Sequence, residues 1–201
     1  MTFEVELKVQ LESREQAEIR EKCVSDGTLL GHHYQKDLYL DRANTKNGLS
    51  FTKTDEALRL RIQRELSAEN PTQLELTYKG PRLSPESKSR EEYNLVLAPT
   101  TEDDTPIAFF QSLGYEVVYT VEKEREDWAF GAVVVSLDKV TDLGSFVELE
   151  TIVDSAVDVR EREEQLWLLL DQLVGQKVDR GRAISDSYLG ILIRLQSLGK
   201  L

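Results

Sequence analysis

The stretch EVELKVQ, residues 4–10, alternates Glu4, Glu6 and Lys8 with Val5, Leu7 and Val9, the period of two that a β-strand requires. Such a strand has one apolar face and one charged face. A lone example is explained by water on the polar side of an antiparallel sheet, but the pattern recurs along the chain. FVELETIV (146–153) sets Glu148 and Glu150 against Val147 and Leu149. ALRLRIQR (57–64) does the same with opposite sign, Arg59 and Arg61 against Leu58, Leu60 and Ile62. In QLELTYKG (73–80) Lys79 shares a face with Thr77 and Glu75; in SREEYNLVL (89–97) Arg90 and Glu92 oppose Tyr93, Leu95 and Leu97; in YTVEKERED (119–127) Lys123 and Arg125 lie on one side.

Eight strands are expected at about 3–10, 34–41, 57–64, 73–79, 90–98, 117–129, 132–138 and 146–153, with AFGAV (129–133) supplying a glycine for a tight hairpin. Four helices accompany them. The first runs from Ser13, where Ser13 and Gln16 read as a capping box, to a stop at Gly27; the second starts at Thr105 and Pro106 and ends near Gly114. The third spans 156–174 before Gly175, and the fourth spans 187–198. Polar connections are expected at 42–56, 65–72 and 80–89. No linker separates two cores, so residues 1–201 read as one α+β domain, an eight-stranded antiparallel β-barrel with flanking helices.

Composition narrows the function. The chain has 201 residues, 31% of them charged and 40% hydrophobic, which suits a globular protein with a real core. The longest apolar run, LWLLL (166–170), falls far short of a membrane span, and the start of the chain does not read as a signal peptide, so a cytoplasmic protein is expected. Cys23, the single cysteine, excludes an internal disulfide and a thiolate metal cage, and its place in a helix assigns it to packing. A net charge of −12 argues against nucleic acid as a partner. LWLLL either covers the sheet or meets a second subunit, which leaves a homodimer open.

Against that acidic background the strand charges are segregated. Glu4, Glu6, Glu92, Asp138, Glu148 and Glu150 face Lys8, Arg59, Arg61, Lys79, Arg90, Lys123 and Arg125, a lining of net +1. Like charges two residues apart on a strand face, about 7 Å, repel by roughly 2 kcal/mol at an effective dielectric near 20. Glu4 beside Glu6, and Glu148 beside Glu150, are therefore explained by a cation between them; Mg²⁺ takes carboxylates together with phosphate oxygens and water. Asp138, closing AVVVSL, is a further candidate ligand. The Arg and Lys pairs suit a polyphosphate, because guanidinium forks bind phosphate oxygens in pairs. A triphosphate of about −4 balances such a lining with one or two divalent cations.

In this order these residues resemble the CYTH superfamily, the triphosphate tunnel metalloenzymes that include class IV adenylyl cyclases, thiamine triphosphatases and inorganic triphosphatases. The matching stations are Glu4, Glu6 and Lys8; Arg59 and Arg61; Lys79; Arg90 and Glu92; Lys123 and Arg125; and Asp138 with LGSFVELE (143–150). The resemblance implies a tunnel of eight antiparallel strands, Mg²⁺ or Mn²⁺ on the glutamates, and the triphosphate on the cations. Family members often carry an arginine just before the C-terminal Ser-Tyr, where this chain has Asp186 before Ser187 and Tyr188, and Arg180 or Arg182 is the candidate replacement.

The expected metal ligands are thus Glu4, Glu6, Asp138, Glu148 and Glu150, and the expected triphosphate contacts are Lys8, Arg59, Arg61, Lys79, Arg90, Lys123, Arg125 and Arg182. Lys8 is also the candidate for assisting a deprotonation. Tyr39 reads as packing, with nucleophile positioning the alternative, and His32 and His33 as surface or loop residues. EVELK, DEALRLR and LTYKGP look most like the class IV cyclases, which convert ATP to cyclic AMP and pyrophosphate. A triphosphatase and a non-catalytic triphosphate sensor are the alternatives, and the plainest reading is an acidic β protein with solvated strand faces.

Overall fold

Strands with one apolar face must cover that face, and in the computed structural model, described for residues 3–42, 51–67, 72–82, 90–98, 105–155 and 158–200, each of two compact units does so around its own core. The strands are β1 (Phe3–Leu11), β2 (Thr28–Arg42), β3 (Ala57–Glu65), β4 (Gln73–Arg82), β5 (Arg90–Leu97), β6 (Tyr115–Phe130), β7 (Val133–Val140) and β8 (Gly144–Val153). The helices are α1 (Ser13–Asp26), α2 (Phe51–Thr54), α3 (Thr105–Ser112), α4 (Val159–Val174) and α5 (Tyr188–Ser197). The family of eight strands and the four longer helices follow the sequence pattern closely.

The strands form one antiparallel sheet in the order β1-β8-β7-β6-β2-β3-β4-β5. The eight-stranded antiparallel sheet expected from the sequence is present, with β1 and β5 as the ends of this strand order.

The first unit comprises residues 1–33 and 123–201. Val5, Leu7 and Val9 of β1, Val135 and Leu137 of β7, and Val147 and Leu149 of β8 form the sheet side of its core. Ile19 and Cys23 of α1 and Leu166, Leu170 and Leu173 of α4 form the other side. LWLLL therefore covers the sheet, with Leu166 and Leu170 fully buried and Leu168 left at the surface. Helix α1 begins at Ser13 as expected, but its capping box is one residue earlier than the expected Ser13–Gln16: Glu12 is the N-cap, and its N–H donates to the Glu15 carboxylate at 2.8 Å. Gly131 (φ 61°) turns the β6–β7 hairpin and Gly175 (φ 75°) ends α4, both in the left-handed region where a side chain is strained.

The second unit comprises residues 34–122. Leu38 and Leu40 of β2, Leu58, Leu60 and Ile62 of β3, and Leu74 of β4 pack with Ile107 and Phe110 of α3 and with Phe51. Helix α2, unforeseen within the 42–56 connection, starts where the Asp41 carboxylate accepts the Phe51 N–H at 3.1 Å. His32 and His33, expected on the surface or a loop, stand in β2, which begins at Thr28.

Candidate functional site

Register decides which charges meet. In the first unit β1 and β8 pair Glu6 with Glu150 and Lys8 with Glu148; β8 and β7 pair Glu148 with Ser136; β7 and β6 pair Asp138 with Arg125 and Ser136 with Asp127. All of these lie on the sheet face opposite the one that packs on α1 and α4.

Arg125 donates its Nε to Asp138 Oδ1 at 2.6 Å and a terminal nitrogen to Oδ2, and also pairs with Glu148. Lys123 Nζ lies 3.0 Å from Asp138 Oδ2, and the Tyr188 hydroxyl donates to the same oxygen at 2.7 Å. Asp138 has no solvent exposure. Its burial opposes ionisation, but the Arg125 fork, Lys123 and Tyr188 outweigh burial and hold its pKa well below the usual carboxylate range.

Lys8 Nζ lies 3.3 Å from Glu6 Oε1 and 3.0 Å from Glu148 Oε1, and donates to the Asp186 carbonyl at 3.2 Å. Its three N–H bonds are thereby engaged. Burial works to lower the Lys8 pKa, yet Glu148 and Glu6 prevail and raise it, so the group is a firm ammonium. Glu148 shows the converse balance: burial pushes its pKa up, Arg125 pulls it further down, and the net shift is downward. Glu150 is different. Burial and then the nearby Glu4 and Glu6 carboxylates raise its pKa, the mark of acids gathered without enough positive charge.

In the second unit β3 and β4 pair Arg59 with Thr77 and Arg61 with Glu75, and β4 and β5 pair Lys79 with Glu92. Arg61 forms a fork on Asp37 at 2.7 and 2.8 Å. Arg59 donates to Glu75 at 3.0 Å and to Thr77 Oγ1 at 2.9 Å, while its buried Nε has no hydrogen-bond partner among the described residues. Lys79 pairs with Glu92 at 2.9 Å. Tyr39 shares the Asp37 face of β2, and burial followed by Asp37 pushes its phenol up to about 12.

Two sequence-derived assignments acquire different surroundings. Asp138 commits both carboxylate oxygens to Lys123, Arg125 and Tyr188 rather than presenting them to a metal. Arg182 commits its guanidinium to Glu15, at 2.6 and 2.8 Å, and to the Gln10 carbonyl at 2.6 Å. Arg180 likewise forks onto Asp171 and lies 4.4 Å over the Trp167 ring. The Arg90 side chain lies outside the described residues. Asp37, Asp127 and Tyr188 were missed as members of the charged faces; KDLYLD carried the signal for Asp37, which alternates with buried Leu38 and Leu40.

Among the described residues no three acidic, histidine or cysteine side chains are drawn together tightly enough to form a finished metal cage. The donor chemistry nonetheless fits a hard divalent cation, since Glu6 stands opposite Glu150, beside Glu4 and Glu148, and the repulsion at Glu150 is what such a cation would relieve.

The CYTH domain model matches residues 2–182. The chain belongs to the CYTH family. This CYTH protein is 30% identical over 195 residues to the "putative adenylate cyclase" of Methanocaldococcus jannaschii, covering 93% of this chain and 97% of that one. A solved Pyrococcus horikoshii protein is also 30% identical, with a TM-score of 0.72 and coverage of 96% and 99% of the two chains. A Hippeastrum protein described as a "putative adenylyl cyclase" with a dominant triphosphatase activity shares the fold at 16% identity and a TM-score of 0.63, over 100% of this chain and 97% of that one. The family implies a divalent cation and a triphosphate, and among the described residues no helix is long and apolar enough to cross a membrane.

Proposed function

We propose that this CYTH protein is a divalent-cation-dependent enzyme of the class IV adenylyl cyclase type, converting ATP to cyclic AMP and pyrophosphate. The observation that carries the proposal is the placement of Lys8, Lys123 and Arg125 beside Glu6, Glu148 and Glu150 on one sheet face of the first unit. The adenylate cyclase name of the 30% identical archaeal relative favours the cyclase reaction.

In this reading Glu6, Glu148 and Glu150, with Glu4, would hold Mg²⁺ or Mn²⁺, which when bound neutralises charge on the phosphate oxygens. Lys123 and Arg125 bind phosphate oxygens, and the same role for Arg59, Arg61, Lys79 and Arg90 rests on their motifs. The unpartnered Arg59 Nε is a ready donor for such an oxygen. Lys8 acts as a cation rather than a base, because its carboxylate neighbours keep it protonated. Asp138 anchors the two cations of β6, and Arg182 braces the C-terminal segment. The ribose 3′-hydroxyl gives its proton to solvent as its oxygen attacks the α-phosphorus, the bond to the bridging oxygen breaks, and pyrophosphate leaves with its growing charge met by these cations.

A triphosphatase is the second reading, favoured by the activity described for the Hippeastrum protein of the same fold. Water then attacks the terminal phosphorus, and the same cations serve. One assay separates the readings: the pure protein is incubated with ATP or with inorganic triphosphate, each with Mg²⁺ or Mn²⁺, and the products are identified. Cyclic AMP with pyrophosphate supports the cyclase, and orthophosphate supports the hydrolase. Tight binding without product supports a sensor, and neither binding nor product overturns the proposal.

A further inference from the structure

Tyr188, the first residue of α5, meets three buried ions of the first unit's charged face, Lys8, Lys123 and Asp138. Its ring centroid lies 4.7 Å from Lys8 Nζ and 5.1 Å from Lys123 Nζ, both within reach of a cation–π attraction. Its hydroxyl donates to Asp138 at 2.7 Å, and Phe146 backs the ring edge-on at 5.0 Å between centroids. Only 8% of Tyr188 is exposed.

The chain leading to it is fastened as well. Ala183 bridges Val9 of β1, the Ile184 N–H donates to the Lys8 carbonyl at 2.9 Å, and the Asp186 carbonyl takes the Lys8 ammonium. Ser187 caps α5 by accepting the Gly190 N–H at 3.1 Å. Strand β1 and the β6–β7 hairpin, far apart in sequence, thus meet on one tyrosine supplied by the C-terminal segment.

We propose that Tyr188 is a positioning residue of the triphosphate site, its ring seating Lys8 and Lys123 together and its hydroxyl holding Asp138, so that α5 sets where two phosphate-binding charges stand. Resting on the triphosphate reading above, this assigns the C-terminal segment a part in binding that its sequence, lacking the family arginine at Asp186, does not announce. Lys8 is already held by Glu6, Glu148 and the Asp186 carbonyl, and Lys123 by Asp138. A ring fixed from behind by Phe146 adds to these bonds a common seat that narrows what freedom the two long side chains keep before substrate arrives.

The test compares wild type, Tyr188→Phe and Tyr188→Leu. Nuclear magnetic resonance of the free protein should show the ε-methylene protons of Lys8 and Lys123 shifted upfield by the ring current in wild type and Phe, and restored to ordinary positions in Leu. Calorimetric titration with inorganic triphosphate should show binding weakened about tenfold by Leu and no more than about threefold by Phe. Steady-state kinetics should place the Leu defect in KM, with kcat per folded molecule changed less than about threefold. Ordinary lysine shifts in wild type, a Leu variant that binds as wild type, or a Phe variant as impaired as Leu would each overturn the proposal. If the ring-current signature behaves as expected but wild type binds no triphosphate, the lysine seat stands and the triphosphate reading falls.

Discussion

Arg125 and Asp138 stand directly opposite one another across β6 and β7 and are joined by a two-bonded fork, with Asp138 entirely out of solvent. Such a pair contributes less through its own attraction than through the charge it would leave behind if broken. Asp138→Ala strands Arg125 and Lys123 without their shared acid and is expected to destabilise the protein by about 3–5 kcal/mol, read as a lower urea midpoint with no metal present. A ligand role alone would give no loss of stability in metal-free protein, so the metal-free measurement separates the two roles.

Arg182→Ala should act on stability and not on substrate. The guanidinium joins α1 to the segment that bridges β1 at Val9, with part of its surface exposed, so a loss of about 1 kcal/mol is expected. The KM for triphosphate should stay within about twofold of wild type. A large KM change at unchanged stability would return Arg182 to the substrate contacts.

The contrast between these two residues marks what sequence alone reveals. Strand faces were legible because alternation is local: Glu4, Glu6 and Lys8 declare their common side within five residues. Register is not local. That Lys8 meets Glu148, that Asp138 lies under Arg125, and that Tyr188 reaches both lysines depend on ladders and on a C-terminal crossing, with Lys8 far in sequence from both Glu148 and Tyr188. Arg182 was assigned to substrate by motif, and the helix that takes it, α1, differs from any strand pattern. Asp37 was readable in KDLYLD but offers no pair of like charges to draw notice.

Arg61→Ala should weaken triphosphate binding while leaving Asp37 without its fork. Asp37 is buried, so the variant should also lose stability, by about 1–3 kcal/mol. The double variant Arg61→Ala with Asp37→Ala also removes the buried acid, left in the single variant with the longer Arg59 contact at 3.8 Å, and should recover part of that stability but none of the binding. Calorimetric titration beside urea denaturation of the three proteins distinguishes the two effects, and full recovery of binding in the double variant would remove Arg61 from the site.

Glu148→Ala should leave the protein folded by circular dichroism while abolishing metal-dependent turnover. Glu148 links Lys8 to Arg125, and its removal withdraws an acid both from the proposed cation site and from two buried bases. Turnover of wild-type rate in this variant would dismiss the site.

Glu150 carries the pH prediction. Its folded-state pKa is raised by burial and then by Glu4 and Glu6, so the protonated form is favoured in the native protein relative to the unfolded chain. The stability associated with that proton is fully present below the unfolded carboxylate pKa and is lost as pH rises through the higher folded one. At neutral pH wild type therefore bears an ionised, crowded Glu150, and Glu150→Gln should unfold at higher urea than wild type there. The advantage should shrink as pH falls into the carboxylate range, where both proteins are neutral at this position. Added Mg²⁺ should raise the wild-type midpoint at neutral pH and raise that of Glu150→Gln less, because the substitution removes both the repulsion and a proposed oxygen ligand. A Gln variant less stable than wild type at neutral pH would show that the carboxylates around Glu150 are not under mutual strain, and with that the physical case for a cation among them would fail.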